Sequence, residues 1–400
     1  MNTILVLTST YPRWRGDIEP GFVHLLNQQL SRHYRIIVLA PHYPGARRHE
    51  TIDGIEIHRF RYFLPSGEHL AYNGGIIANL KKNRLKLLLV PFFLTAQLVH
   101  ITLLCRKNDI SLIHAHWVIP QGLLAVFSRQ ARLIPRQIKI ISTSHGGDLF
   151  SFKGGLLQKI KRYVFNMSNH VTVVSNAMKQ HLQKMGWKTE HVTVQPMGVD
   201  LVERFTPDPT ARIETDLVFI GRLVEKKGVI TLLEAIAILR NEYPSLRLRI
   251  IGDGPEKPGL QHQARDLGIE KQIDFVGAVE NTLVPIFYRS ARIAVVPSVI
   301  ARDGDQEGLG LVAVEALGCG CATVVSDLPA LRDVVLDGET GLVFQSGNPR
   351  DLSDKIKRLL TDKALLTRLG QNGRNYVMRY FDWQHVGIGY AQLVRNCLSS

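Results

Sequence analysis

The sequence predicts an α/β protein made of two Rossmann-like domains, each a parallel sheet covered by helices on both faces. Short apolar runs of strand length alternate with longer amphipathic runs from one end of the chain to the other. Four hundred residues exceed one compact core and suit two domains of about 200 residues each. A stretch with two prolines, 198–210, separates the two sets of runs.

In the first half, 4–7, 35–39, 112–114, 138–143 and 171–174 read as buried strands. In the second half the corresponding runs are 217–220, 246–251, 273–275, 293–296 and 323–326, with amphipathic helices such as 230–241 and 351–360 between them. This places an N-terminal domain at 1–205 and a C-terminal domain at 206–382. A last helix, 383–400, is expected to pack back on the first domain. With 45% hydrophobic and 21% charged residues, the composition excludes a disordered chain, and 33 Gly with 18 Pro exclude a collagen-like one. Four Cys at positions 105, 319, 321 and 397 form neither a disulfide framework nor paired zinc arms, and fit a reducing cytoplasm.

The first eight residues have no basic start and only a four-residue apolar run, so they read as a strand rather than a secretory signal. The longest apolar stretch, 85–105, is interrupted by Lys86, Pro91, Gln97 and His100 and follows Lys81, Lys82 and Arg84. A membrane span wants about 20 clean apolar residues. The stretch therefore reads as a packed helix whose basic, Leu-rich start suits a membrane surface.

Charge is divided unevenly. Residues 1–200 hold 25 Lys and Arg against 10 Asp and Glu, a balance of +15, whereas 201–400 hold 24 against 25. A basic first half attracts an anionic membrane, a phosphorylated substrate or nucleic acid. It is also compatible with a merely soluble surface.

The second half carries the clearest chemistry. Gly221 lets the strand at 217–220 turn sharply, and Arg222 and Lys227 then stand at the carboxyl edge of the sheet, where such folds bind ligands. An Arg fork and a Lys point charge suit a diphosphate, and a solvated charged turn is the plain alternative. Gly252 and Gly254 form a second tight turn after a strand, short of a full dinucleotide fingerprint. Glu307 lies in the loop that follows the strand at 293–296, and Gly308 and Gly310 flank the start of a helix whose unpaired N–H groups suit phosphate oxygens. Glu315 follows eight positions later in an otherwise apolar helix. A buried carboxylate wants polar partners, so the two acids fit the ends of one elongated, hydroxyl-rich ligand. A helix-capping acid plus a core salt bridge is the competing account.

In the first half, His114 and His116 share one strand face, which raises a metal. No third ligand is evident, and pocket or packing roles are preferred. His145, beside Gly146 and Gly147 at a strand end, is a candidate site residue, with Asp148 behind it.

Gly221-Arg222 with Lys227-Gly228, the Gly252/Gly254 turn, and Glu307 with Glu315 together resemble the retaining glycosyltransferases of family 4 over nearly the whole chain. The loop holding Asp303, Asp305 and Glu307 is similar to that of bacterial exopolysaccharide members of the colanic acid and amylovoran type. The resemblance implies the GT-B fold, two Rossmann-like parallel-sheet domains facing a central cleft. It implies that Arg222 and Lys227 neutralise a nucleotide diphosphate, that Glu315 accepts ribose hydroxyls, and that Glu307 contacts the donor sugar. Gly308, Leu309 and Gly310 then present backbone N–H groups, and Val276 and Gly277 lie near the base. In the loop after strand one the family's Gly-Gly pair is reduced to Gly16, followed by Asp17, whose role is open. His145 takes the place of a sugar-contacting His, with Asp17, His116 and Asp148 on the acceptor side.

The expected activity is retaining transfer of a sugar from a UDP- or GDP-linked donor to a glycan or a lipid-linked acceptor such as a polyprenyl diphosphate sugar, in bacterial cell-surface or exopolysaccharide synthesis. No cofactor and no metal are expected, the donor being a co-substrate. Asp303 and Asp305 form the metal triplet of the other large glycosyltransferase fold, but they stand late in the second sheet and read as loop polarity. The expected location is the cytoplasm, at the inner face of the membrane. One alternative is an NAD-linked oxidoreductase or sugar-nucleotide epimerase, which lacks its glycine fingerprint here. The other is a membrane-surface or nucleic-acid binding module, though no nucleic-acid motif accompanies the charge.

Overall fold

The computed structural model describes residues 1–17, 21–150 and 154–399. The chain forms two compact units. Unit 1 comprises Met1–Val174, Met178–Met197 and Val386–Ser400, and unit 2 comprises Ser175–Ala177 and Gly198–His385.

Unit 1 is built on strands β1 (Thr3–Leu7), β2 (Arg35–Pro41), β3 (His49–Ile52), β4 (Ile55–Phe60), β5 (Ile110–His116), β6 (Lys139–Ser144), β7 (His170–Val173) and β8 (Val192–Val194). Their order is β3-β4-β2-β1-β5-β6-β7-β8, all parallel except the β3–β4 hairpin. β1 is buried along its whole length, as a central strand covered on both faces requires. The order reverses between β1 and β5, so the loops after these strands diverge there and leave room at the carboxyl edge. Tyr34 Oη donates to the Ala391 carbonyl at 3.3 Å and Gln195 Nε2 to that of Val386, also at 3.3 Å, which fixes the last helical segment on this unit.

Unit 2 contains β9 (Thr215–Ile220), β10 (Leu248–Ile251), β11 (Ile273–Gly277), β12 (Ala291–Val296), β13 (Ala322–Ser326) and β14 (Leu342–Phe344). The order is β11-β10-β9-β12-β13-β14, wholly parallel. This is the doubly wound arrangement, with its switch point between β9 and β12. Its core runs through Leu217, Phe219, Leu232, Ile236, Ile293 and Val324, all at most 2% exposed.

Segment 198–205, assigned from its prolines to the first domain, packs on unit 2. Arg374 donates to the carbonyls of Leu201 at 2.6 Å and Phe205 at 2.9 Å, and a side chain at Gly318 would collide with Leu201. The apolar Leu201 and Phe205 are buried there, and that burial outweighs the turn chemistry that made the segment read as a linker.

Candidate functional site

The switch point of unit 2 gathers most of the residues singled out from the sequence. The loops after β9 and β10 are bound main chain to main chain. Gly221 N donates to Ile251 O at 3.0 Å, Leu223 N to Asp253 O at 2.9 Å, and Glu256 N to Leu223 O at 3.1 Å. The approach is so close that a Cβ on Gly252, at φ 135°, would lie 1.9 Å from Gly221 O, and one on Gly254 would lie 2.2 Å from Leu223 O. These glycines are thus required for loop packing.

Lys227 Nζ lies 2.8 Å from Glu307 Oε1, with both side chains largely buried. The contact is an ion pair rather than a well-aligned hydrogen bond, since Oε1 has no partner of hydrogen-bonding geometry. Burial pushes the Glu307 carboxyl up, but the Lys227 and Lys226 charges outweigh it and hold the group below its ordinary value. A lysine ammonium has three N–H groups, so Lys227 is positioned by Glu307 with donors to spare. Arg222 is exposed and makes no side-chain ion pair among the described residues.

Glu307 leads through Gly308 and the buried Leu309, whose backbone alone is available to a ligand, to the helix Leu311–Gly318. Gly310 opens that helix at φ 89°, and no side chain caps it. Its first N–H groups therefore point at the switch point with the positive end of the helix dipole behind them. Glu315 is partly buried on this helix, and no hydrogen bond to its carboxylate is found among the described residues. Burial raises it to about 7, against the opposing pull of Arg204 and Lys227. At the rim, Gly277 takes φ 90° and accepts from Gly252 N at 2.8 Å, while Val276 is 39% exposed. The Asp303–Asp305 triplet is tied within its loop. Asp303 Oδ1 accepts from Asp305 N at 2.8 Å, and Asp305 pairs with Lys226 at 3.2 Å.

Two residues here escaped sequence reasoning. Arg204 acts on Glu315 from the boundary segment, stacked 4.9 Å over the Phe205 ring and bonded to the Asn281 carbonyl. No local pattern marks it. Lys226 looked like part of a charged turn, and its acidic partner lies 79 positions away.

In unit 1, β5 and β6 deliver His114, His116 and His145 to neighbouring positions. His116 Nδ1 is 3.0 Å from His145 Nε2, the two rings stack at 5.2 Å, and Trp117 and Phe22 lie 5.0 Å from the His145 ring. Burial drives all three imidazoles down, His114 and His145 to about 3, so they are neutral at physiological pH. Trp117 beside them is held at φ 74°, a conformation costly for a non-glycine residue. Among the described residues no group of three His, Cys, Asp or Glu side chains is arranged to hold a metal.

Asp148 and Asp17, expected on the acceptor side, are occupied by their own loops. Asp148 is buried and accepts from Val118 N at 2.7 Å, Ser144 Oγ at 2.8 Å and His145 N at 3.2 Å. Asp17 forms a two-pronged pair with the Arg13 guanidinium, at 2.7 and 2.6 Å, and Arg13 in turn stacks on Trp14 and Tyr43. Both carboxylates position backbone and neighbours. Gly16 takes φ 78°, and a Cβ there would meet nothing within 4 Å among the described residues beyond its chain neighbours.

The family model described as "Glycosyltransferase Family 4" matches residues 19–203, and that described as "Glycosyl transferases group 1" matches residues 209–376. The chain is 25% identical to a GDP-mannose-dependent alpha-(1-6)-phosphatidylinositol monomannoside mannosyltransferase of Mycolicibacterium smegmatis, covering 98% of each. It is 27% identical to the putative colanic acid biosynthesis glycosyltransferase WcaL of Escherichia coli K12, over 69% of this chain and 68% of the relative. In structure it is similar to sucrose-phosphate synthase of Thermosynechococcus elongatus, with a TM-score of 0.80, 21% identity and full coverage of both chains. The structural likeness shows the fold, which is GT-B.

Proposed function

The chain belongs to the family 4, group 1 glycosyltransferases of the GT-B fold, and from that premise we propose that it catalyses retaining, metal-independent transfer of a sugar from a UDP- or GDP-linked donor to a lipid-linked or glycan acceptor. The membership sets aside the oxidoreductase, epimerase and binding-module alternatives. The observation that carries the reading is the Lys227–Glu307 pair at the switch point, beside an uncapped helix start and a carboxylate awaiting partners.

Cleaving a sugar–phosphate bond builds positive charge at the anomeric carbon and negative charge on the diphosphate. In the proposed mechanism Lys227, Arg222 and the N–H groups after Gly310 meet the leaving diphosphate. Held by Glu307, Lys227 needs no rearrangement when charge develops, and that preorganisation lowers the barrier. Glu307 accepts from sugar hydroxyls with its remaining lone pairs. Glu315, once ionised, accepts from the ribose hydroxyls, and Val276 and Gly277 flank the base. The family resemblance assigns His145 a contact with the transferred sugar, which its neutral imidazole would make as an uncharged hydrogen bond. The acceptor attacks on the leaving-group face, and the departing phosphate takes its proton.

The +15 balance of residues 1–200 supports an anionic acceptor such as a polyprenyl diphosphate sugar, met at the cytoplasmic face of a membrane during cell-surface or exopolysaccharide synthesis. The names of the two relatives, a phosphatidylinositol monomannoside mannosyltransferase and a putative colanic acid biosynthesis glycosyltransferase, support this reading. A panel of UDP- and GDP-sugars, read by thermal shift and donor hydrolysis, tests the reading. One donor should stabilise the wild type and leave Lys227→Ala unaffected. No response to any nucleotide sugar would refute it.

A further inference from the structure

The segment Arg84–Lys107 has a mean hydropathy of 2.1 in its most apolar window, yet only 22% of that window is buried in unit 1. Its helical part, Val90–Lys107, shows two apolar faces. On the inner face, Phe93, Gln97, Ile101 and Leu104 are at most 6% exposed, and the Phe93 ring packs 5.1 Å from Phe60 and 5.2 Å from Tyr62. On the outer face, Phe92, Val99 and Leu103 are 54%, 47% and 45% exposed, and Leu88 one turn before them is 71% exposed. Their spacing of four, seven and four residues puts them on one stripe. Phe63 extends the patch, its ring 5.6 Å from that of Phe92. A helix facing water carries polar residues on its outer side; here Thr95 is the one polar side chain among the exposed positions from Pro91 to Leu103, the others being apolar.

Cations bracket the stripe. Lys81, Lys82 and Arg84 precede it, and Arg106 ends it one turn beyond Leu103, lining a surface depression with Arg132 and Arg136. From residue 69 to residue 108 there is no Asp or Glu, against six Lys and Arg. An apolar stripe with basic ends and no acids matches acyl chains beneath anionic headgroups.

We propose that the outer face of the helix Val90–Lys107, with Leu88 before it and Phe63 beside it, is a docking surface for an anionic lipid bilayer, on which the helix lies flat. It does not cross the bilayer, because the inner face is committed to the core of unit 1: a span would strip Phe93 from Phe60 and Tyr62 and expose Gln97 to lipid. The surface deepens the lipid-linked acceptor reading by placing unit 1 at the membrane, but lipid binding is measured without sugar transfer, so either can fail alone.

The test is flotation of the full-length protein with phosphatidylcholine vesicles, with and without phosphatidylglycerol. The wild type should float with the anionic vesicles at low salt and much less with the neutral ones. Leu88→Glu/Phe92→Glu should reduce the bound fraction by about tenfold or more, while donor hydrolysis in lipid-free buffer stays at the wild-type rate. Lys82→Gln/Arg84→Gln/Arg106→Gln should abolish the preference for anionic vesicles. Wild-type flotation by the Leu88/Phe92 variant would overturn the proposal. So would a wild type that ignores lipid but is a dimer by light scattering, which the same variant converts to monomer; the patch would then face a second copy.

Discussion

Replacing Glu315 by Gln separates what this carboxylate costs the fold from what it contributes to the donor site. Burial raises Glu315 from 4.5 to about 7. The folded state therefore holds its proton more tightly than the unfolded chain does. Stability is lost as pH climbs from about 4.5 through about 7, and above 7 the folded protein carries the full penalty. At ~1.4 kcal/mol per pH step, that penalty is about 3 kcal/mol. Glu315→Gln removes it. In thermal unfolding without nucleotide, the variant should melt roughly 6–10 °C above the wild type at pH 8 and level with it at pH 4.5. With saturating donor present the gap at pH 8 should narrow by about 1.4 kcal/mol or more, because in the proposed site an ionised acceptor for the ribose hydroxyls is gone and affinity falls by roughly tenfold or more. A gap at pH 8 of zero or opposite sign, or a gap equal at both pH values, would refute the reasoning.

Four further outcomes are expected. Lys227→Ala and Glu307→Ala should each lower transfer by about a thousandfold with unchanged circular dichroism, and near-normal turnover in both would mean that the site is misplaced. Gly252→Ala forces a Cβ to 1.9 Å from Gly221 O at φ 135°, so urea denaturation should show a loss of about 3 kcal/mol or more in unit 2. Asp148→Ala strands the Val118 N–H and the Ser144 hydroxyl and should destabilise unit 1 by about 2–4 kcal/mol, with nucleotide affinity intact. Transfer should persist in a chelator; complete loss restored by manganese would overturn the metal-independent mechanism.

The central strands were legible because burial on both faces makes them nearly continuous apolar runs, and β1, β9 and β12 lie within two residues of their expected bounds. The edges were harder to read. β8 and β14 are three residues long, and β3 has only one buried residue. The β3–β4 hairpin did leave a signal: Asp53-Gly54, both at positive φ, is a favoured two-residue turn. For the site, the residue types at the sheet edge were readable, but their partners were not. The Lys227–Glu307 pair joins positions 80 residues apart through the adjacency of β9 and β12. Asp17 and Asp148 looked available for a ligand because nothing local shows that Arg13 and two backbone N–H groups already hold them.

The two ways in which the unit 2 loops are fastened bear on how such an enzyme can diversify. Residues 221–223 and 252–254 are riveted through main-chain atoms and glycines that admit no Cβ, so an insertion there would shear the whole edge. Beyond Val299, whose N–H donates to Lys226 O at 2.9 Å, loop 300–306 is tied to the neighbouring turn by exchangeable side chains, Lys226 with Asp305 and Glu225 with the Arg302 N–H. On the proposed function, changes in sugar preference, whether selected in nature or grafted by design, have room to accumulate in that second loop while the proposed diphosphate cradle stays as it is.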